Sequence, residues 1–377
     1  MRDVLKSLES TPPPPAQTTT DDIIGRARRA RAWQSVALGS GVAAVLAVAV
    51  AVGVTTLGGP GGAGPGGVPA AGQPTPQSSF SPPPAERIDP PLPVKKVSFS
   101  TDLGAYRVGA FRIGPAAKIT DGYVELPVYH DGITLGEGST YPLAVATITV
   151  YDKDVYDTST FGGAGNATLI IGDHYPMTVG GREALGRDWT YISPVDESKK
   201  RVMAALAWQY DDGAWATLLP NYGGPDLPRD QAAQIAAGLT TAGKQDLRVP
   251  YRFGYLPDGW QAVAVRQTPA DTSEFVSEVF LHQGPVADPA TRIDEVLPGH
   301  LQITVLKGLD PGKADYTDKE GVHCTPGRES CAVVHDDYRI GLHGNGSTLS
   351  DAEIKKIAEG LQLRDLADQS KWAKVDF

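Results

Sequence analysis

The chain has 377 residues, more than one ordinary domain needs, and its 43 glycines and 31 prolines exceed what helices and strands hold, so part of it must be linker. Its formal net charge of −10 argues against a nucleic-acid partner, because affinity for a phosphate backbone comes largely from clustered Lys and Arg. Two cysteines exclude a zinc site built from four thiolates, an all-cysteine iron–sulfur cluster and a framework of several disulfides.

The N-terminal part of the chain predicts a membrane anchor. An uncharged apolar run extends from Val36 to Leu57 and would reach about 33 Å as a helix, enough to cross a hydrocarbon core. We therefore predict a basic cytoplasmic stub at 1–34 and a transmembrane helix at 35–57 that contacts membrane lipid. The positive-inside rule places the C-terminal domains outside the cell membrane. The basic residues that set this orientation are Arg26, Arg28, Arg29 and Arg31.

The predicted anchor is followed by a linker. Residues 58–95 are rich in proline and glycine and offer almost no large apolar side chains to bury, which is typical of a chain that does not pack. Small residues at Ala70 and Ala71 leave a second interpretation open, in which the apolar run is a signal peptide that is cleaved here. If the apolar run is instead a membrane anchor, the linker separates the outer domains from the membrane.

The rest of the chain repeats a set of landmarks in the same order, which indicates duplication. We predict one repeat at 96–245, a second at 246–366 and a tail at 367–377. The landmarks are Ile-Thr-Val at 148–150 and 303–305, paired aspartates at 211–212 and 336–337, and helix-like segments at 227–239 and 349–361.

Each repeat predicts several antiparallel strands followed by one amphipathic helix. Runs of Val, Ile and Thr at 144–151 and 300–307 are typical of strands. In the second repeat, Ser350 and Glu353 have the spacing of a capping box, and the apolar residues that follow fall on one helix face. We therefore predict an α+β fold class: one transmembrane helix, a disordered linker, and two tandem repeats of antiparallel sheet with a C-terminal helix.

The second repeat resembles a known family. The segments that carry the resemblance are Phe-Gly-Tyr-Leu-Pro-Asp-Gly-Trp at 253–260, the turn and strand at 336–342 and the helix at 349–361. They are similar to an extracytoplasmic domain of uncharacterised function that is found in bacteria after single transmembrane helices and is often attached to anti-sigma factors. The resemblance implies a half-barrel like that of lipoprotein carriers and periplasmic stress sensors. The stub contains no Cys or His, so the zinc-binding inhibitory motif of many anti-sigma factors is absent.

The two cysteines favour a disulfide. Cys324 and Cys331 bracket a Pro-Gly turn that returns the chain on itself, and a pair outside the membrane should oxidise. The other interpretation is a metal site formed by both sulfurs with His323 and His335. We favour the disulfide because the spacing is not that of a known zinc finger.

Aromatic residues concentrate in the first repeat, and they permit two interpretations. They could fill the core beneath the helix, or they could line a groove for lipid, glycan or peptide. Period-two spacing places Trp189 and Tyr191 on one sheet face, and it likewise places Trp208 and Tyr210 on one face. The residues are Trp189 with Tyr191, Trp208 with Tyr210, and Trp215.

These patterns predict a membrane-anchored extracytoplasmic sensor or regulatory binding protein. Its partners would be an unknown extracytoplasmic ligand or protein and a cytoplasmic regulatory protein bound by the stub. A second hypothesis is an envelope-maintenance protein without signalling, and a third is a cell-wall hydrolase. We expect no enzyme activity, because no nucleophile–base or paired-carboxylate arrangement is visible, and we expect no cofactor or catalytic metal.

Overall fold

The computed structural model describes residues 99–375 of the chain, apart from several short segments. All described residues belong to one compact unit that includes Lys95–Phe377. The segments left out are 136–138, 164–167, 194–195, 222–223, 269–274, 287, 289–296, 298 and 308–318.

The first half of the described chain contains twelve strands and one α-helix, α1 (Arg229–Ala237). The strands from the start to the first long hairpin are β1 (Ser100–Leu103), β2 (Tyr106–Val108), β3 (Phe111–Ile113), β4 (Lys118–Thr120), β5 (Tyr123–Thr134) and β6 (Pro142–Tyr151). The remaining strands are β7 (Leu169–Ile171), β8 (Tyr175–Val179), β9 (Arg182–Ser193), β10 (Asp196–Asp211), β11 (Ala214–Pro220) and β12 (Thr241–Asp246).

The second half contains ten strands and one α-helix, α2 (Asp351–Glu359), among the residues that are described. The strands before the disulfide hairpin are β13 (Arg248–Val249), β14 (Tyr251–Phe253), β15 (Trp260–Gln267), β16 (Phe275–Gln283) and β17 (His300–Lys307). The others are β18 (Gly321–Thr325), β19 (Ser330–His335), β20 (Tyr338–Asn345), β21 (Leu361–Leu363) and β22 (Ala373–Lys374).

One antiparallel sheet runs through both halves. Its order is β18-β19-β20-β17-β16-β15-β4-β5-β6-β11-β10-β9-β7, with short strands added beside this path. The two halves join where β4 pairs with β15, in the register Ile119 opposite Val265. The paired aspartates of both halves fall at corresponding hairpins, between β10 and β11 and between β19 and β20. Each half thus contributes strands to a sheet that neither half completes alone.

A row of charged side chains crosses the joint. Lys118 on β4 lies opposite Glu125 on one side and opposite Arg266 on the other. Arg266 in turn lies opposite Glu278 on β16, and its Nη1 stands 2.9 Å from Glu278 Oε2. Lys118 is only 1% exposed and Glu278 3%. The two cations lie side by side, and each has a carboxylate on its other side, Glu125 for Lys118 and Glu278 for Arg266. Because isolated buried charges are costly, this pairing is what permits a charged row at the joint.

Each helix covers one sheet face and closes one hydrophobic core. Ala232, Ile235 and Ala236 of α1 are buried against the first half. Ile354 and Ile357 of α2 occupy the equivalent place in the second half. Three or four apolar residues at helical spacing are enough to form such a face.

The predicted capping box at the start of α2 is confirmed. The Ser350 hydroxyl accepts from the Glu353 backbone N–H, and the Glu353 carboxylate accepts from the Ser350 backbone N–H at 2.8 Å. The pKa of Glu353 is lowered because its carboxylate accepts from both the backbone N–H and the hydroxyl of Ser350. In α1 the N-cap residue is Pro228, whose side chain cannot form such a bond.

The predicted α+β fold class is wrong for the part of the chain that the structure describes. That part is mostly strand, and its two α-helices have nine residues each. Between the Ile-Thr-Val strand and the paired aspartates of the first half, where the sequence predicts a strand only at 204–210, the structure has β7 to β9 and most of the 16-residue β10. The joint between β4 and β15 then merges the two predicted repeats into a single β-rich domain.

The prediction of a single-pass cell-membrane protein, with a cytoplasmic N-terminus and the C-terminal domains outside, also requires correction. Among the described residues, no helix is long and apolar enough to cross a membrane. A nine-residue helix is about 14 Å long, less than half of a hydrocarbon core. The predicted helix at 35–57, the stub at 1–34 and the linker at 58–95 lie outside the described residues.

Candidate binding face

The structure separates the five predicted groove aromatics. Trp208 on β10 lies opposite Ala184, whereas Trp189 on β9 lies opposite Met203, and the pairing between these points has no register shift. Because side chains alternate between the two faces of a sheet, Trp208 and Trp189 belong to opposite faces. Trp215 lies opposite Gln209, the residue after Trp208, and so is on the side of Trp189. The five aromatics therefore do not line one common groove.

Trp208 and Tyr210 belong to the core side, whereas Tyr191 is two residues from Trp189 on β9 and shares its face. Trp208 is 2% exposed and packs in the cluster that α1 closes, and the partly buried side chains of Tyr210, Trp189 and Tyr191 also contact this cluster. The Tyr210 hydroxyl donates to the backbone carbonyl of Tyr151 at 2.7 Å. Burial raises the pKa of Tyr210, so this hydroxyl stays protonated and continues to donate.

The opposite side of β9, β10 and β11 carries a second apolar cluster, which we call the outer face. Its centre is formed by Ala205 and Ala207 on β10, which lie under the buried ring of Phe161. Small side chains at the centre leave room for larger ones around them. The partly buried residues that surround this centre are Tyr156, Leu185, Trp189, Trp215 and Leu219.

The segment after β6 covers the outer face. Phe161 is 1% exposed, and its ring stacks on His174 with the centroids 5.7 Å apart. Before it, a short 3-10 helix at Thr158–Thr160 is capped by Asp157, whose carboxylate accepts from the Ser159 backbone N–H at 2.8 Å. That bond lowers the pKa of Asp157, so the cap is intact at neutral pH.

Arg187 lies beneath this cover. Gly162, with φ at +89°, approaches the arginine so closely that a Cβ at 162 would stand 2.8 Å from Arg187 Cδ. Any other residue at 162 would therefore be strained and would collide with the arginine. Arg187 is two residues from Trp189 on the same strand, so the guanidinium and the indole project from the same face.

Three buried polar atoms on the outer face have no hydrogen-bond partner in the described part of the chain: Arg187 Nε, Trp189 Nε1 and Thr217 Oγ1. Thr217 lies opposite Ala207, between Trp215 and Leu219, and is 1% exposed. An unpaired buried polar group costs about 1 to 3 kcal/mol and is uncommon in native proteins. Three such groups around Phe161 make the outer face the candidate binding face.

Sequence reasoning missed Arg187 and Thr217. Both alternate with large apolar residues on a strand, Arg187 between Leu185 and Trp189 and Thr217 between Trp215 and Leu219. The signal that could have identified them is a single polar residue among the apolar residues at alternate positions of a strand, which share one face. The signal becomes specific only when the register shows that both strands contribute to one face.

The structure contains a disulfide between Cys324 and Cys331, with the sulfurs 1.99 Å apart. These residues lie directly opposite each other in the hairpin of β18 and β19. A cleft of about 310 Å³ lies between this hairpin and the first turn of α2. The turn of the hairpin is held there by Asp351, whose carboxylate accepts from the backbone N–H groups of Gly327 and Glu329 at 2.5 and 3.1 Å.

The histidines of the alternative metal site have other partners. His323 Nε2 lies 2.7 Å from the carbonyl oxygen of Lys319, and His335 Nδ1 lies 2.5 Å from Glu320 Oε1. Within the described ranges, no three His, Cys, Asp or Glu side chains are grouped to hold a metal ion. The predicted topology residues Arg26, Arg28, Arg29 and Arg31 lie outside the described residues.

Comparisons with known proteins give a remote likeness to a solved structure. No protein-family model and no curated protein matches the chain. Among solved structures, the chain is similar to the crystal structure of MucB in complex with MucA(peri), with 12% sequence identity and a TM-score of 0.19. The alignment covers 71% of this chain and 94% of that one.

Proposed function

We propose that this chain is a regulatory binding protein that binds its ligand at the outer face and leaves it chemically unchanged. The observation that carries the proposal is the pair of buried donors, Arg187 Nε and Trp189 Nε1, which project from one strand without an acceptor among the described residues. A ligand that supplies the acceptor would remove the cost of leaving both groups unpaired.

The surroundings of the two donors support binding of an organic ligand. Trp215, Phe161 and Ala205 provide apolar surface next to them. Ligand sites in proteins are typically of this kind, with mostly apolar walls and a few polar groups that fix the orientation of the ligand. Burial of apolar surface would supply affinity, and the two donors would supply specificity.

The donor groups also explain why we propose binding and not catalysis. A guanidinium stays protonated in proteins and an indole N–H only donates, so neither Arg187 nor Trp189 can act as a nucleophile or general base. The proposal therefore contains no bond-breaking step, and a bound ligand should be recovered unaltered.

Titration of the full chain with anilinonaphthalene sulfonate tests the proposal, because this probe joins an aromatic body to an acceptor group and fluoresces when bound. We expect Arg187→Gln and Trp189→Phe to weaken binding by at least about tenfold, since a hydrogen bond to a charged group is worth about 1.5 to 3 kcal/mol. The matched control is Arg112→Gln, which removes a strand arginine that lies over the ring of Tyr129 elsewhere in the first half.

Circular dichroism of each variant checks that the fold is retained. Equal affinity of the native chain, Arg187→Gln and Arg112→Gln would refute the outer face as the binding site. Recovery of a chemically altered ligand by mass spectrometry would refute the assignment of a binding role without catalysis.

A further inference from the structure

The partners of the arginines in this domain indicate the charge of a ligand that would bind Arg187. Two other arginines have a carboxylate in the chain itself: Arg229 on α1 pairs with Asp188, and Arg266 on β15 pairs with Glu278. Arg187 forms no such ion pair with the residues that the structure describes, although its Nε is buried. Because the Nε of a charged guanidinium is costly to bury without an acceptor, the missing partner at this nitrogen points to an anionic group from outside the chain.

The balance of charge on the outer face limits the anion to one negative charge. Arg187 is the arginine that lies beneath Gly162 beside this cluster, and its single positive charge balances one negative charge. A dianion such as phosphate would leave one charge uncompensated beside Trp215 and Leu219, and such burial is costly. The planar fork of a guanidinium matches a carboxylate, which carries one charge over two oxygens.

Trp189 adds a second donor for the same group. The indole Nε1–H only donates, so its partner must supply an acceptor, and the carboxylate that pairs with Arg187 supplies one in its oxygens. The aromatic and aliphatic walls then require an apolar body attached to the carboxylate. We infer that the outer face binds a monocarboxylate with an apolar body, held by Arg187 and Trp189; this inference rests on the binding function proposed above.

Competition against anilinonaphthalene sulfonate tests the class of ligand on the full chain. We expect phenylacetate to displace the probe at least about tenfold more effectively than phenylacetamide, its neutral analogue, because only the acid supplies a charged acceptor. This preference should fall to about one in Arg187→Gln and stay unchanged in Arg112→Gln. Arg187→Lys keeps the charge but loses the fork, so we expect an intermediate preference.

Two outcomes would overturn the inference. Equal displacement by the acid and the amide on the native chain would reject the carboxylate, while the loss of probe binding in Arg187→Gln would still support a binding face. An acid preference that persists unchanged in both Arg187→Gln and Arg187→Lys would show that the carboxylate binds elsewhere on the protein.

A further experiment distinguishes the two sources of the carboxylate, which are a peptide C-terminus and a free organic acid. The tripeptide Gly-Gly-Phe presents a phenyl ring and a carboxylate at the C-terminus of a peptide, with one more carbon between them than phenylacetate has, and its C-terminal amide is the control. Stronger displacement by the tripeptide than by phenylacetate would assign the carboxylate to a peptide C-terminus. Stronger displacement by phenylacetate would assign it to a free organic acid.

Discussion

The ring of Tyr175 lies directly over Gly186, its cross-strand partner on β9, so closely that a Cβ at 186 would stand 2.0 Å from Tyr175 Cε2. The guanidinium of Arg229, the first residue of α1, lies over the same ring at 3.8 Å from its centroid. Arg229 also pairs with Asp188, which accepts from the Tyr175 hydroxyl at 3.2 Å. The stack therefore connects the start of α1 to the sheet.

We expect Gly186→Ala to destabilise the protein by about 1 to 3 kcal/mol, which is typical of overpacking. The added methyl group occupies the place of the Tyr175 ring, so the ring must move and its contact with Arg229 is lost. Urea unfolding followed by circular dichroism measures the effect as a lower midpoint.

The matched control is Gly341→Ala in β20, where a Cβ would meet nothing within 4 Å. Alanine is favoured over glycine within a strand, so this variant should be neutral or slightly more stable. Similar losses for Gly186→Ala and Gly341→Ala would show that the Tyr175 contact is not the cause.

The buried ion pair at the joint predicts strong coupling between Arg266 and Glu278. Their side chains are 13% and 4% exposed, and Glu278 also accepts from Gln302 and Thr304. Removing one partner leaves the other charge unpaired, so we expect Arg266→Met or Glu278→Leu alone to cost about 3 to 5 kcal/mol. The double variant should lose clearly less than the sum, by at least about 1 kcal/mol. Additive losses, within about 0.5 kcal/mol, would show that the pair is not coupled.

Local patterns in the sequence were enough to predict individual elements. The strand at 144–151 and the Ser350 cap were recognised because β-branched composition and capping chemistry depend on neighbouring residues only. The joint between β4 and β15 could not be recognised in the same way. Strand β4 has three residues, and its partner is more than 140 positions away, so its pairing depends on tertiary packing.

The binding face was hidden for a related reason. Period-two spacing shows which residues of one strand share a face, but the relation between two strands depends on their register. Only the pairing of Trp208 with Ala184 and of Trp189 with Met203 reveals that these tryptophans are on opposite sides. The unpaired state of Arg187 Nε likewise depends on residues distant in the sequence, including the cover at Gly162.

The pair of His335 and Glu320 predicts a pH-dependent contact. The hydrogen bond to Glu320 raises the pKa of His335 above its usual value, and the charge of Asp336 acts in the same direction. The stabilisation is therefore fully present below the unfolded-state pKa of about 6.5 and is lost as pH rises through the higher folded-state value. Because both side chains are largely exposed, we expect it to contribute less than about 1 kcal/mol.

A histidine NMR titration measures this pKa directly. Glu320→Gln should lower the pKa of His335 toward about 6.5, whereas Glu329→Gln, a change in the turn at the other end of β19, should leave it unchanged. A pKa for His335 that is the same in the native chain and in Glu320→Gln would exclude the ion pair in solution.

The disulfide predicts where the sheet opens first when it is removed. Strand β18 pairs only with β19 in the described sheet, so Cys324–Cys331 is the covalent link of an edge strand. The cysteines are seven positions apart, and a loop of this size contributes about 2 to 3 kcal/mol by restricting the unfolded chain. We expect Cys324→Ser/Cys331→Ser to lower the free energy of unfolding by this amount.

Hydrogen exchange in this variant should accelerate most in β18 and in the turn bonded to Asp351, and less in β17 and β20, because edge strands open by local unfolding. Equal acceleration in β18, in this turn, in β17 and in β20 would mean that the disulfide stabilises the protein only through its unfolded state and does not hold the edge.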